Sequence, residues 1–111
     1  MMEFVIDTHV LLWYLQGDSH LSKKSLEILN HAENRFFIPT IVLCELSRLS
    51  QKGKSKHNLQ NVIDILHGDS RFEIVSLDED VVFLLPPQLE IHDAIIVATV
   101  ISLKKSRRQK R

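Results

Sequence analysis

The chain has 111 residues, 44% of them apolar and 25% charged, with 3 Gly and 3 Pro, proportions that describe one compact domain and exclude a disordered or multidomain chain. A single cysteine, Cys44, excludes an internal disulfide framework and any multi-cysteine zinc site, and fits a reducing cytoplasm. The formal charge of zero conceals a polarity: residues 104–111, KKSRRQKR, hold 6 of the 14 basic residues and no acid, which leaves 8 basic against 14 acidic residues in 1–103, a net of −6.

The opening MMEFVIDTH lacks a basic segment followed by a sustained apolar one, and no apolar run reaches the roughly 18 to 20 residues that span a bilayer, so neither secretion nor membrane anchoring is expected. Glu3 to Ile6 is a short apolar strand ending at Asp7, and Val10, Leu11, Trp13, Tyr14 and Leu15 then give a helix with a wide apolar face. Gly17, Asp18 and Ser19 break it, and a more polar helix follows over about 21–32. Phe36, Phe37 and Ile38 predict a second strand, after which Pro39 and Thr40 open a helix to about Gln51. A basic loop, Lys52 to Lys56, leads to an amphipathic helix marked by Leu59, Val62, Ile63 and Leu66 and closed by His67, Gly68 and Asp69. Phe72, Ile74, Val75 and Leu77 are a third strand. Asp78, Glu79 and Asp80 start a short helix broken by Pro86 and Pro87, and His92 to Leu103 is a final apolar helix. Alternating strands and helices predict an α/β layer architecture around a parallel sheet, with ligands taken beyond the carboxyl ends of the strands.

Three acids stand in positions that this architecture makes conspicuous. Asp7 directly follows the first strand, where it can project into the strand-end crevice; equally, Asp7 or Thr8 can serve as a helix cap worth about 1 kcal/mol. Glu45 shares a helix face with Ile41, Val42 and Leu49, where an unpaired carboxylate is costly and so must pair with a base such as Arg48, be protonated, or coordinate a cation. Asp93 opens the last helix in line with Ile96, Val97 and Val100, its apolar face, and so is expected to point inward; complementing the helix dipole is its competing role. Carboxylates without paired His or Cys ligands form the hard-oxygen environment suited to Mg²⁺ or Mn²⁺, which can carry hydrolysis of a phosphodiester.

Three segments, FVIDTHVLLWYL, IPTIVLCELSRL and IHDAIIVATVISL, resemble the acidic blocks of PIN-domain ribonucleases, most closely the VapC-like toxins of bacterial toxin–antitoxin pairs. The resemblance covers about residues 3–103, and the opening block is its most specific part. It implies a three-layer α/β fold with a short parallel sheet, a PIN-like domain over 1–103 and a basic tail over 104–111. It also implies an Mg²⁺- or Mn²⁺-dependent endoribonuclease whose metal-binding acids are Asp7, Glu45 and Asp93, with Thr8 supporting them by hydrogen bonding. RNA would be the substrate, a small antitoxin the partner, and dimerisation common. Lys52, Lys54 and Lys56 are the candidate RNA-backbone contacts.

One departure matters. In that family the helix matching 92–103 is normally followed by a strand that lies beside the first and carries or precedes a fourth acid, often as Thr-x-Asp, whereas KKSRRQKR contains neither. A truncated or frame-shifted relative is the expectation, with an open edge on the first strand, an uncovered last helix, and an alternative role as a catalytically impaired remnant that binds an antitoxin or toxin. A solvated, flexible terminus is the expected state of the basic tail. Asp78, Glu79 and Asp80 are expected to cap and charge a helix, Trp13 and Tyr14 to serve the core, and Cys44 to be a small buried side chain. The six histidines show no metal-ligand spacing, although His9 and His92 flank the acids.

Overall fold

The run Phe36-Phe37-Ile38 does become a strand: β2 (Arg35–Pro39) is buried from Phe36 onward and holds the centre of the sheet. The computed structural model describes residues 1–109, with side chains through residue 105. β1 (Glu3–Val5) and β3 (Phe72–Val75) flank β2 and run parallel to it, in a register that sets Phe4, Phe36 and Phe72 side by side. Their rings stack at 5.9 and 5.2 Å between centroids, which ties the three strands together on one face.

Because side chains alternate along a strand, Phe36 and Ile38 face one layer of helices and Phe37 the other. The first layer holds α1 (Thr8–Gln16), α2 (Lys23–Asn30), α3 (Thr40–Gln51) and α4 (Leu59–His67). They bring Leu11, Leu12, Leu29, Val42, Leu46, Val62 and Leu66 together with Ile6, Phe36 and Ile38 into the main core. Each such burial contributes roughly 2 kcal/mol, a large share of the stability of so short a chain. On the other side, α6 (Ile91–Gln109) packs against β1 and α5 (Glu79–Phe83) against α6, burying Val81, Ala94, Ile95 and Ala98. The result is the expected three-layer α/β arrangement. No described helix is long and apolar enough to cross a membrane.

Local signals set most of the boundaries. Asp7, Ser22, Asn58 and Asp78 each accept a bond from a backbone N–H in the first turn of α1, α2, α4 and α5. Gly17 ends α1 in the left-handed region, at φ 64° and ψ 33°. Asn34, buried before β2, accepts from the Met2 amide and donates to the Ile28 carbonyl, so it joins the start of β1 to the end of α2. Arg71 does the same for β3: its guanidinium reaches the Leu29 carbonyl at 2.6 Å, clasps Asp69 at 2.8 Å and lies over the Phe36 and Phe72 rings.

Several expectations are corrected. β3 stops at Val75, leaving Leu77 exposed, because its pairing with β2 ends at Pro39. Helix α6 does not stop at Leu103 but continues through the basic segment to Gln109, a sequence of good helix formers whose positive charges suit a helix C-terminus; positions 110 and 111 of the tail lie outside the described residues. Cys44 is exposed, since α3 buries Val42 and Leu46 and turns Cys44 outward with Arg48. Tyr14 does pack against the core, but Trp13 is not part of it; the indole is half-buried between two histidine rings.

Candidate active site

The end of β1, the second turn of α3 and the first turn of α6 open onto one cleft. Asp7, Glu45 and Asp93 all line this cavity of about 190 Å³, with Thr8 and His9 from α1. Glu90, His92 and Ile96 complete it. The three acids singled out from the sequence thus line one cavity, and Glu90, which the sequence reading overlooked, lines it as well, one turn ahead of Ala94 and close to His92. The signal was available: an acid three residues before Asp93, on the same side of a helix start.

The position of each acid has a local cause. Asp7 is held by capping, its Oδ1 accepting from the Val10 amide at 3.0 Å, and the side chain stays exposed to the cleft. Glu45 is half-buried beside the core stripe of Val42 and Leu46 and accepts a 2.6 Å bond from the hydroxyl of Thr8. Thr8 itself is only 4% exposed, so that bond locks the Glu45 carboxylate against α1. The alternative partner, Arg48, makes no ion pair with it among the described residues. Asp93 stands exposed at the cleft rim, and here the inward-facing expectation is corrected: the buried stripe of α6 is Ala94, Ile95, Ala98 and Thr99, one position round the helix from Asp93 and Val97. Glu90 pairs through Oε1 with Nδ1 of His92 at 3.1 Å and accepts the His92 amide through Oε2, which orients the imidazole.

Next to the acids lies a larger cavity of about 460 Å³, which shares Thr8, His9, Glu45 and His92 with the first. Its far wall is basic. Arg48 and Lys52, one helical turn apart at the end of α3, line it, whereas Lys54 and Lys56 do not. The groove thus runs from a carboxylate end to a cationic end, and Arg48 was not among the expected contacts. Lys56 instead lies within electrostatic reach of Asp18, whose carboxyl is held below its ordinary value chiefly by its hydrogen bonds from His20.

The donor set of the smaller cleft, carboxylates and a hydroxyl with no thiolate, has the chemistry that a hard divalent cation selects. Among the described residues no three His, Cys, Asp or Glu side chains already converge on one point. Like charges stand apart around the opening, and binding an ion would require them to draw inward.

A family model described as the PIN domain matches residues 4–105 of the chain. Among solved structures, the crystal structure of VapBC2 from Rickettsia felis bound to a DNA fragment from their promoter contains a chain of similar fold, with a TM-score of 0.60 and 24% identity over 94% of this chain and 83% of that one. Comparison with curated proteins gives no match.

Proposed function

This chain belongs to the PIN domain family, and on that premise we propose that it is a metal-dependent endoribonuclease, the toxin of a toxin–antitoxin pair, acting on RNA phosphodiester bonds in the cleft of Asp7, Glu45 and Asp93. The observation that carries the reading is that these three acids, from distant segments, line one cavity in which Thr8 fixes Glu45 by a 2.6 Å hydrogen bond. Asp7, Glu45 and Asp93 would hold Mg²⁺ or Mn²⁺. When bound, such an ion supplies charge neutralisation at the phosphodiester and acidifies a water for attack.

The chain's own residues do the rest. Four carboxylates repel a bare phosphate, so the cleft admits a strand only when their charge is balanced. Thr8 keeps Glu45 from swinging to other partners. Glu90 takes the Nδ1 side of His92, leaving Nε2 as the ring nitrogen for a phosphate oxygen. Arg48 and Lys52 supply fixed positive charge for the flanking backbone, with Lys54 and Lys56 further out on the same loop.

An antitoxin is the proposed partner, and a second copy of the chain a further one. The related VapBC2 structure contains a DNA fragment from their promoter. Phe83 is 85% exposed beside exposed Val82 in α5, and Leu89 and Ile91 are exposed at the approach to α6, apolar side chains suited to such an interface. The setting proposed is the cytoplasm. The division into a PIN-like domain over 1–103 and a basic tail over 104–111 belongs to the same reading, with α6 crossing that boundary.

The test is cleavage of RNA by the purified protein with Mg²⁺ or Mn²⁺, expected to disappear in Asp7→Asn. Equal cutting by that variant overturns the reading. A second reading, a catalytically impaired remnant that binds an antitoxin or toxin, is favoured by the unconverged carboxylates. Calorimetry separates the two: the enzyme takes up the divalent ion, whereas the remnant binds a protein partner and no ion.

A further inference from the structure

Helix α1 leaves the acid cleft carrying a line of rings. His9 lines both cavities, and Trp13, one turn along, stands 5.8 Å from it between centroids at 53°. His20, on the turn after α1, lies over Trp13 at 5.5 Å and 21°, close to parallel. We propose that His9, Trp13 and His20 form a stacking ladder for unpaired nucleobases of the strand whose phosphates occupy the cleft. This rests on the nucleic-acid reading above for the position of the strand.

Three observations carry it. First, the half-buried indole lies outside the main core. Its neighbours Val10, Leu11, Leu12, Tyr14 and Leu15 all join or abut the main core and Trp13 does not, although a large ring gains most from burial there. Second, the outer ring is pinned without being buried. Asp18 Oδ1 accepts both the His20 amide at 2.9 Å and His20 Nδ1 at 2.6 Å, while the His20 side chain remains 72% exposed. Fixing an exposed imidazole costs side-chain entropy and buries little, but it prepares a flat face for another ring. Third, cations accompany the ladder: Arg48 and Lys52 line the larger cavity together with His9, and Lys56 lies within electrostatic reach of Asp18, the residue that pins His20. That is the combination that single-stranded nucleic acid selects, positive charge for the backbone and π-faces for the bases. An apolar peptide would gain little from the cations, and a duplex keeps its bases stacked on one another.

Trp13 is the sole tryptophan of the chain, so its emission reports on the ladder directly. The Asp7→Asn chain, in which cutting is expected to be lost, is titrated in Mg²⁺ with a single-stranded RNA oligonucleotide and with an abasic ribose-phosphate oligomer of the same length. RNA is expected to quench the Trp13 emission and the abasic oligomer to leave it unchanged. By anisotropy of labelled RNA, Trp13→Leu weakens binding about fivefold or more, Trp13→Phe stays within about twofold, and His20→Ala, at the exposed end, weakens it by a smaller factor. Circular dichroism checks that the variants fold. Emission moved equally by both oligomers, or Trp13→Phe and His20→Ala behaving one like the leucine variant and the other like wild type, overturns the ladder. RNA that the metal-loaded protein cuts without any change in Trp13 emission on binding overturns the ladder alone; RNA that neither binds nor is cut overturns the ribonuclease reading with it.

Discussion

Asp7 combines two jobs that substitution can separate. Its Oδ1 caps α1, and its charge faces the cleft. Asn can accept the same amide bond without the charge, whereas Ala can do neither. Asp7→Asn is therefore expected to melt within a degree or two of wild type and to lose activity, roughly the precision at which capping by the two residues is equivalent. Asp7→Ala should lose activity and about 1 kcal/mol of stability in urea unfolding. Thr8 acts through Glu45, so removing its hydroxyl should loosen the carboxylate without disturbing the volume it fills. We expect Thr8→Val to lower divalent-ion affinity about tenfold by calorimetry and Thr8→Ser to restore it. A valine variant that binds the ion as wild type does would detach Thr8 from the site.

At the scale of elements, the fold is held by a few polar ties between segments that the apolar core does not reach. Arg71 anchors β3 to the end of α2 and to Asp69, and its own protonation is reinforced by that pair. Arg71→Ala leaves the Leu29 carbonyl and the Asp69 carboxylate without this donor and should cost about 2 kcal/mol. The side-chain bonds from Arg71 hold the Asp69 carboxyl below its ordinary value of 3.8. Because the folded value is depressed, this contribution is present above that pH and fades as acid protonates the folded carboxylate below it. Partial exposure screens it, so the signature is modest: urea midpoints should fall less steeply from about pH 5 to pH 3 in Arg71→Ala than in wild type. Gly17 supplies a conformational tie of another kind. A Cβ there meets nothing within 4 Å, so the cost of Gly17→Ala comes from φ 64° alone, about 1 kcal/mol in thermal unfolding.

For the whole molecule, charge is sorted by position more than by amount. The body of the chain is net acidic, yet Arg48 and Lys52 are gathered on one wall of the groove that leads to the carboxylates. Backbone neutralisation by these two should appear in the salt dependence of RNA binding, each of Arg48→Gln and Lys52→Gln lowering the log–log slope by about 0.7. Lys54→Gln, outside the cavity wall, is expected to change it less. Equal slopes for all three variants would mean that the attraction is diffuse. Exposed apolar side chains, Val82 and Phe83 on α5 and Leu89 and Ile91 at the approach to α6, stand outside the main core and mark where this small body is least self-sufficient.

Much of this was legible along the chain because it is local. Short apolar runs, a capping Asp, Ser or Asn before α1, α2, α4 and α5 and a glycine after the first helix have their effect within a turn or two, so the order of strands and helices could be read directly. The blocks around Asp7, Glu45 and Asp93 could be read too, since each acid interrupts an otherwise apolar pattern. Tertiary structure decided what depends on packing from afar. Which stripe of α6 turns inward depends on its packing against β1 and α5: Ala94, Ile95, Ala98 and Thr99 are buried and Val97 is exposed, while Val100 shares a cavity with Phe37 at the back of the sheet. Whether Cys44 is covered, whether Trp13 joins the core and whether Glu90 and Arg48 border the same groove as Asp7 are likewise questions of which elements meet. A single strand of sequence encodes periodicity, but the faces it offers acquire partners only when segments far apart compete for the same buried space.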